Sequence, residues 1–154
     1  MKKYLLTILS VLFLVACGSN AEVERASPKE EMSRDEVFGY LETLLDPYAD
    51  LTEVETEEEA IETIKKIGEI AQEVTRELKK DYAKDIHAVT DLLRLSEKLE
   101  ELAQDVEDGN LHLMSAYGQD IGKHIRNVSV EHLDGDLPKK YGETVGADNI
   151  YDLE

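Results

Sequence analysis

The most restrictive feature of this sequence is a run of apolar side chains at alternating spacings of four and three residues. The run extends from Ala60 to Leu78 without a break, and most residues between its members are polar or charged. A repeat of about 3.5 residues places its members on one face of an α-helix, as in a coiled coil or helical bundle. The segment therefore predicts a long amphipathic helix packed against other helices. Its apolar positions are Ala60, Ile64, Ile67, Ala71, Val74 and Leu78.

The same register continues to Val106 with one fault, where it meets Asp81 and Asp85. Two structures explain this fault. Either KKDYAKD, residues 79–85, is a polar turn between antiparallel helices and one of the aspartates caps the second, or a single helix carries both carboxylates in its seam. We prefer the hairpin, with its second helix closing at Gly109, because globular helices average about 11–12 residues. The stretch contains neither Gly nor Pro, so a single continuous helix remains an alternative.

A shorter helix should precede the hairpin. Ser33 and Glu36 match the S-x-x-E capping box that begins a helix, and apolar residues follow at helical spacing. Pro47 cannot donate a backbone hydrogen bond, so we expect this helix to end near Leu45. The acidic run EVETEEE, residues 53–59, we interpret as a solvated helix start beside the positive end of the helix dipole, in preference to a cation site.

A last helix is predicted over about residues 111–130. Its Gly118 and Gly122 form a small-xxx-small pair on one face. In a water-soluble helix this spacing indicates close backbone approach to a neighbour, for instance opposite Gly68 and Ala71, because each glycine otherwise costs the helix about 1 kcal/mol relative to alanine. The residues after this helix lose the helical period, which predicts an irregular tail that drapes on the bundle.

The N-terminus has three parts. Met1-Lys2-Lys3 is basic, Tyr4 to Ala16 is apolar with two polar interruptions, and polar residues follow. A transmembrane helix needs about 20 apolar residues, so this run is short for a span but typical of the hydrophobic part of a secretory signal. It ends in Leu14-Val15-Ala16-Cys17. These four residues resemble the lipobox of bacterial lipoproteins, a resemblance that covers only the first 17 residues.

The resemblance implies that Cys17 carries a covalent lipid. It implies a diacylglyceryl thioether on Cys17, cleavage between Ala16 and Cys17, and a mature chain that starts at the lipidated cysteine. Two or three acyl chains anchor stably, since each buried methylene contributes about 0.8 kcal/mol. We therefore expect a lipid-anchored protein of the cell membrane or outer membrane that faces outside the cytoplasm. Cys17 is the only cysteine, so no disulfide can form within the chain.

Charge limits the partners of this chain. Asp and Glu outnumber Lys and Arg by 35 to 17, and loss of Lys2 and Lys3 with the signal takes the formal charge from −18 to −20. Nucleic acid is excluded as a partner, because phosphate binding needs clustered cations. The membrane, through the lipid, and a protein are the partners that we expect.

The sequence thus predicts an all-α fold, a small helical bundle of three to four helices with an antiparallel hairpin at its core and an irregular C-terminal tail. The small and charged residues GSNAEVERASPKEEM predict a flexible tether ahead of this bundle. The predicted organisation is a signal peptide over 1–16, a lipidated N-terminus and tether over 17–32, the bundle over 33–130, and the irregular acidic tail over 131–154.

Residues with chemical potential are few. The four histidines are dispersed, and Asp120 and His124 stand four apart on a predicted helix face. They could supply two metal ligands or form a helical ion pair. We favour the ion pair, since a metal site in a bundle needs ligands from other helices as well. No catalytic signature is present, so we expect neither an enzyme nor a cofactor beyond the lipid on Cys17.

Three classes of function remain. The first is a non-enzymatic anchored module that binds a protein partner, or modulates or blocks an envelope machine, as exclusion and immunity lipoproteins do. The second is a small-ligand or metal-binding lipoprotein with Asp120, His124 and Tyr117 around a pocket between helices. The third is a hydrolase built from unexceptional carboxylates. We favour the first class, since the sequence offers no positive support for the third.

Overall fold

The structure, a computed structural model, describes residues 27–110 and 114–153. The predicted signal peptide, Cys17 and most of the predicted tether lie outside the described residues. The described residues form five packed α-helices without a strand, which confirms the predicted all-α bundle. These helices are α1 (Arg34–Ala49), α2 (Glu57–Asp81), α3 (His87–Glu107), α4 (Met114–His132) and α5 (Lys139–Val145), with 3-10 turns at Asp50–Thr52 and Ile150–Leu153.

The predicted antiparallel hairpin is confirmed by α2 and α3. Thr75 Oγ1 on α2 donates a 2.6 Å hydrogen bond to Glu100 Oε1 on α3, and the two helices share the largest contact of the fold. The prediction that Asp81 or Asp85 caps the second helix is wrong. Asp81 is the last residue of α2, and Ile86 is the N-cap of α3, with no side chain bonded to the cap.

The four longer helices alternate in direction. The connection at residues 82–86 marks one end of the bundle, called the turn end below. Tyr82 Oη donates a 2.9 Å hydrogen bond to Glu36 in the first turn of α1. His132, the last residue of α4, lies 3.0 Å from Asp91 near the start of α3. Hence α1 and α3 begin at the turn end, and α2 and α4 finish there.

An aliphatic core fills the space between these helices. The predicted seam is buried from Ile64 to Leu78 on α2 and from Ala88 to Val106 on α3, while Ala60 is half-buried. Burying a large aliphatic side chain contributes roughly 1.5–3 kcal/mol, so this seam is the main source of stability. The large side chains below 2% exposure are Leu41, Leu44, Leu45, Ile64, Ile67, Leu78, Leu92, Leu95, Leu99, Ile121, Ile125 and Leu133.

Helix α1 continues past Pro47, so the predicted end near Leu45 is wrong. Pro47 and Ala49 are both buried in the last turn of α1. A proline inside a helix costs about 3 kcal/mol, a cost comparable to the gain from burying one or two apolar side chains. Packing therefore overrides the local signal. The predicted capping box at Ser33 is confirmed, since Ser33 N–H donates to Glu36 Oε2 at 2.8 Å and Ser33 Oγ accepts from Glu36 N–H.

The acidic run at residues 53–59 contains the start of α2. Thr56 is the N-cap, and its hydroxyl accepts a 3.2 Å hydrogen bond from the Glu59 N–H. Three consecutive glutamates, Glu57 to Glu59, form the first turn, where carboxylates face the positive end of the helix dipole. The interpretation of this run as a solvated helix start is confirmed.

The predicted irregular tail is wrong for much of residues 131–154. Helix α4 extends to His132, and α5 and a 3-10 turn follow. This segment returns on itself, because Ile150 N–H donates to Gly135 O at 2.8 Å. Tyr141 on α5 lies against Tyr48 on α1, with ring centroids 6.5 Å apart. A seven-residue helix shows too few turns for a helical period, so its packing on α1 decides its structure.

Close helix approach occurs at Gly68 and not at the predicted glycine pair. A Cβ added at Gly118 or Gly122 would meet no neighbouring atom within 4 Å, so the expected contact of these glycines with Gly68 and Ala71 is wrong. A Cβ at Gly68 would instead collide with the Ala103 side chain on α3. Because glycine has no side chain, Gly68 allows α2 and α3 to pack closely.

Lys29, assigned by the sequence to the tether, lies against the turn end. Its backbone N–H donates to Asp81 O, and its carbonyl accepts from Ala83 N–H, both at 2.8 Å. Its ammonium lies 2.7 Å from Glu36 Oε1, which also accepts from Tyr82 Oη. Lys29, Glu36 and Tyr82 are called the latch below. The latch joins the N-terminal segment, α1 and the hairpin turn.

The latch shifts the protonation of its carboxylate. The Lys29 ammonium, with smaller contributions from the Ser33 backbone and the Tyr82 hydroxyl, lowers the pKa of Glu36 from 4.5 to about 2. Because this folded-state pKa lies below the unfolded value, the ionised latch stabilises the fold above pH about 4.5. That stabilisation is lost as the pH falls toward 2.

We expect opposite effects from alanine at two helical glycines. Gly68→Ala should lower the free energy of unfolding by about 1–3 kcal/mol, because the new methyl group overpacks the contact with Ala103. Gly122→Ala, its matched control in an open position, should raise it by up to about 1 kcal/mol through helix propensity. Equilibrium urea unfolding measures both. Stabilisation by Gly68→Ala would contradict the packing described above.

We expect the effect of Glu36→Gln on stability to depend on pH. Glutamine can still accept the capping-box hydrogen bond but carries no charge. The melting temperature of the variant should lie below that of the wild type at neutral pH, and the difference should shrink as the pH falls below about 4.5. Glu42→Gln, an exposed change on the same helix, is the control. A difference that stays constant with pH would show that the Glu36 charge is not the cause.

Candidate functional site

Three side chains of types that bind metals meet at the turn end. His87 Nε2 and His132 Nε2 lie 3.6 and 3.0 Å from the same atom, Asp91 Oδ2. The ligand atoms of all three lie within 4.8 Å of one another. Among the described residues, this is the one group of three or more His, Cys, Asp or Glu side chains with such convergence. It is called the His–Asp–His cluster below.

Two features of the helices assemble this cluster. His87 and Asp91 are one turn apart on α3, so their side chains share a face. His132 arrives from α4, which packs antiparallel to α3. Far from the turn end, Tyr117 Oη of α4 donates a 2.6 Å hydrogen bond to Asp105 on α3, and this contact fixes the register of the two helices. The last residue of α4 therefore lies beside the first turn of α3.

Burial is uneven across the cluster. The side chains of Asp91 and His132 are 7% and 13% exposed, whereas that of His87 is 69% exposed. A buried carboxylate needs charged or hydrogen-bonding partners, because its desolvation is costly. Arg94 supplies one such partner, with Nη1 3.4 Å from Asp91 Oδ1. The cluster thus has a buried carboxylate at its base and an opening to solvent on the His87 side.

The two histidine rings complete the arrangement. Their centroids lie 5.3 Å apart in an edge-to-face orientation, with an angle of 73° between the ring planes. This packing presents both Nε2 atoms to Asp91 Oδ2. The geometry allows two chemical roles, an ion-pair network around a buried carboxylate or a three-ligand metal site.

The structure gives two of the residues proposed from the sequence, Asp120 and Tyr117, partners within the protein. Asp120 accepts a 2.9 Å hydrogen bond from Lys123, and this ammonium lowers the pKa of Asp120. Tyr117 donates to Asp105, and that hydrogen bond raises the pKa of Tyr117 to about 12. Asp120 and His124 do not belong to any convergent group of three ligands within the described residues. The helical ion pair at Asp120 forms with Lys123.

The sequence contained half of the signal for the His–Asp–His cluster. His87-x-x-x-Asp91 has the same four-residue spacing as Asp120 and His124, and it was overlooked. His132 could not have been assigned, because its proximity depends on the pairing of α3 with α4 and on a helix two residues longer than predicted.

A second surface feature is the groove between α1 and α2. Tyr40 lies at one side of it, with its ring edge-to-face against Tyr82 at 6.3 Å, and burial raises its pKa to about 12. The exposed glutamates of this groove follow one face of α2 at four-residue spacing. The groove, called the α1–α2 groove below, is lined by Tyr40, Thr43, Glu69, Ile70, Glu73, Val74 and Glu77.

Comparison with known proteins assigns no family. No protein-family model, no curated protein and no solved structure matches the chain. Within the described part of the chain, no helix has both the length and the apolar character needed to cross a bilayer. The proposals below therefore depend on the chemistry of the sequence and on the contacts described above.

Proposed function

We propose that this chain is a membrane-anchored extracytoplasmic lipoprotein with a non-enzymatic helical module that binds a protein or modulates the cell envelope. The observation that carries this proposal is the sequence from Met1 to Cys17. Its basic start, its apolar run and its Leu-Val-Ala-Cys ending agree in order and length with a lipoprotein signal. Exclusion and immunity functions are examples of such a role.

The position of Lys29 supports an anchor on the N-terminal side. Lys29 follows Cys17 by twelve residues, and a flexible segment of that length reaches roughly 20 Å. Because Lys29 contacts the hairpin turn, the proposed anchor brings the turn end of the bundle nearest the membrane. Helix α2 has 25 residues and so extends the other end about 37 Å further from the lipid surface.

Charge supports a basic protein partner. The mature chain would carry −20, and within the described residues the exposed large apolar side chains are those of Tyr151 and Leu153. The α1–α2 groove combines exposed carboxylates with apolar side chains of both helices. We place the partner contact there, because a segment with basic and apolar side chains complements both features.

The alternative function, a small-ligand or metal-binding lipoprotein built on Asp120, His124 and Tyr117, has less support. Tyr117 is bonded to Asp105, and Asp120 is bonded to Lys123. A ligand at this place would have to displace both contacts. The sequence lacks the catalytic signatures that would support a hydrolase.

We expect Cys17→Ser to abolish lipid attachment. Serine is a far weaker nucleophile than the cysteine thiolate, so the precursor should keep its signal and lack the acyl mass. Mass spectrometry of the intact chain and labelling with palmitate measure both effects. Ser19→Ala, a small change two residues later, is the control and should be processed normally. Normal maturation and labelling of Cys17→Ser would overturn the proposed anchor.

We expect the partner contact to depend on charge in the α1–α2 groove. The triple change Glu69→Gln, Glu73→Gln and Glu77→Gln should reduce capture of the native partner about tenfold, since exposed ion pairs contribute about 0.2–1 kcal/mol each. Capture from the native envelope by the full-length anchored chain, quantified at low and high salt, measures this effect. Added salt should weaken wild-type capture.

The matched control for this experiment is Glu42→Gln, Glu62→Gln and Glu131→Gln. It removes the same charge from exposed positions on α1, α2 and α4, and it should leave capture unchanged. Equal losses in both triple variants would assign the effect to net charge and overturn the contact at the groove. Capture that is insensitive to salt would overturn the charge argument itself.

A further inference from the structure

We infer that the His–Asp–His cluster binds one divalent transition-metal ion of the Zn²⁺ type. The ligands are His87 Nε2, Asp91 Oδ2 and His132 Nε2. This inference goes beyond the proposed function, because it depends neither on the lipid anchor nor on a protein partner. It stands on the convergence, the donor chemistry and the burial of these three side chains.

The ligand spacing fits such an ion. Zn–N and Zn–O bonds of about 2.0–2.2 Å in a tetrahedral site separate the ligand atoms by roughly 3.3–3.5 Å. The observed separations from Asp91 Oδ2 are 3.0 Å to His132 and 3.6 Å to His87. The remaining separation, between the two histidine nitrogens, is within 4.8 Å. His87 is 69% exposed, so its ring has room to adjust toward an ion held by the other two ligands.

The donor set selects the class of ion. Two imidazoles and one carboxylate suit Zn²⁺ and the neighbouring divalent ions of iron, cobalt, nickel and copper. Mg²⁺ and Ca²⁺ prefer oxygen ligands, and the cluster offers a single carboxylate. Three protein ligands leave at least one coordination position for water or for a donor from another molecule, and the exposure of His87 gives access to it.

The surroundings hold the carboxylate in place for this role. Arg94 approaches Asp91 Oδ1, whereas both histidines approach Oδ2. One oxygen is thus held by the guanidinium and the other faces the two imidazoles. Hydrogen bonds that orient a ligand in this way strengthen metal sites. An ion at Oδ2 would join the start of α3 to the end of α4.

His87 separates this inference from a purely structural explanation. In an ion-pair network, His132 and Arg94 already accompany the buried Asp91, and the exposed His87 is dispensable. In a metal site His87 is a ligand, and because it is 69% exposed its removal costs little packing beyond the edge-to-face contact with His132. Its substitution should therefore change metal affinity without changing the stability of the metal-free protein.

The test is Zn²⁺ binding to the full-length chain purified in detergent. Equilibrium dialysis with excess Mg²⁺ and moderate salt suppresses loose binding by the acidic surface, and we expect one Zn²⁺ per chain. His87→Gln should weaken binding by about tenfold or more and leave the metal-free melting temperature unchanged. His124→Gln, a partly exposed histidine on α4 outside the cluster, is the matched control and should bind as the wild type does.

Two further measurements complete the test. Asp91→Asn and His132→Gln should also weaken binding, and if either fails to fold, the comparison of His87→Gln with His124→Gln still decides. Co²⁺ bound in place of Zn²⁺ should give a visible absorption band that His87→Gln alters and His124→Gln does not. Wild-type affinity in His87→Gln, an equal loss in His124→Gln, or displacement of Zn²⁺ by Mg²⁺ would each overturn the site.

Discussion

The rest of the fold depends on the close contact between α2 and α3. Gly68 faces Ala103 without a side chain of its own, and this allows the two aliphatic seams to interlock along the hairpin. The Thr75–Glu100 hydrogen bond joins the same two helices. Helices α1 and α4 then pack on a framework whose direction is already set. With a single cysteine in the chain, packing has to maintain this framework without an internal disulfide.

Two groups of polar interactions lie where the hairpin turns. The latch and the His–Asp–His cluster both lie at this end, and both bring together segments that are distant in sequence. Arg34 reinforces the same region, since its guanidinium donates a 3.0 Å hydrogen bond to Leu133 O. Apolar packing thus holds the helices together along their length, while charged groups join the helix ends at the hairpin turn. Under the proposed anchoring, these charged groups are the part of the bundle nearest the lipid.

Sequence reasoning succeeded where a pattern repeats and failed where a single contact decides. The seam from Ile64 to Val106 has enough turns to establish its period, and it predicted the two helices of the preferred hairpin and their buried face. Pro47 was misread because local geometry says nothing about the core that surrounds it. Gly118 was misread because glycine spacing does not reveal which helix face has a neighbour. His132 was missed because the site needs helix pairing as well as ligand types.

The attachment of Lys29 determines how mechanical force enters the molecule. A pull from the N-terminal side meets the two backbone hydrogen bonds of Lys29 to Asp81 and Ala83, and the Lys29–Glu36 ion pair, before it pulls on the backbone at Ser33. The hairpin connection and, through the contact of Lys29 with Glu36, the first turn of α1 therefore share the load. Tension on the chain thus meets a small clamp at the turn end before it meets the aliphatic core.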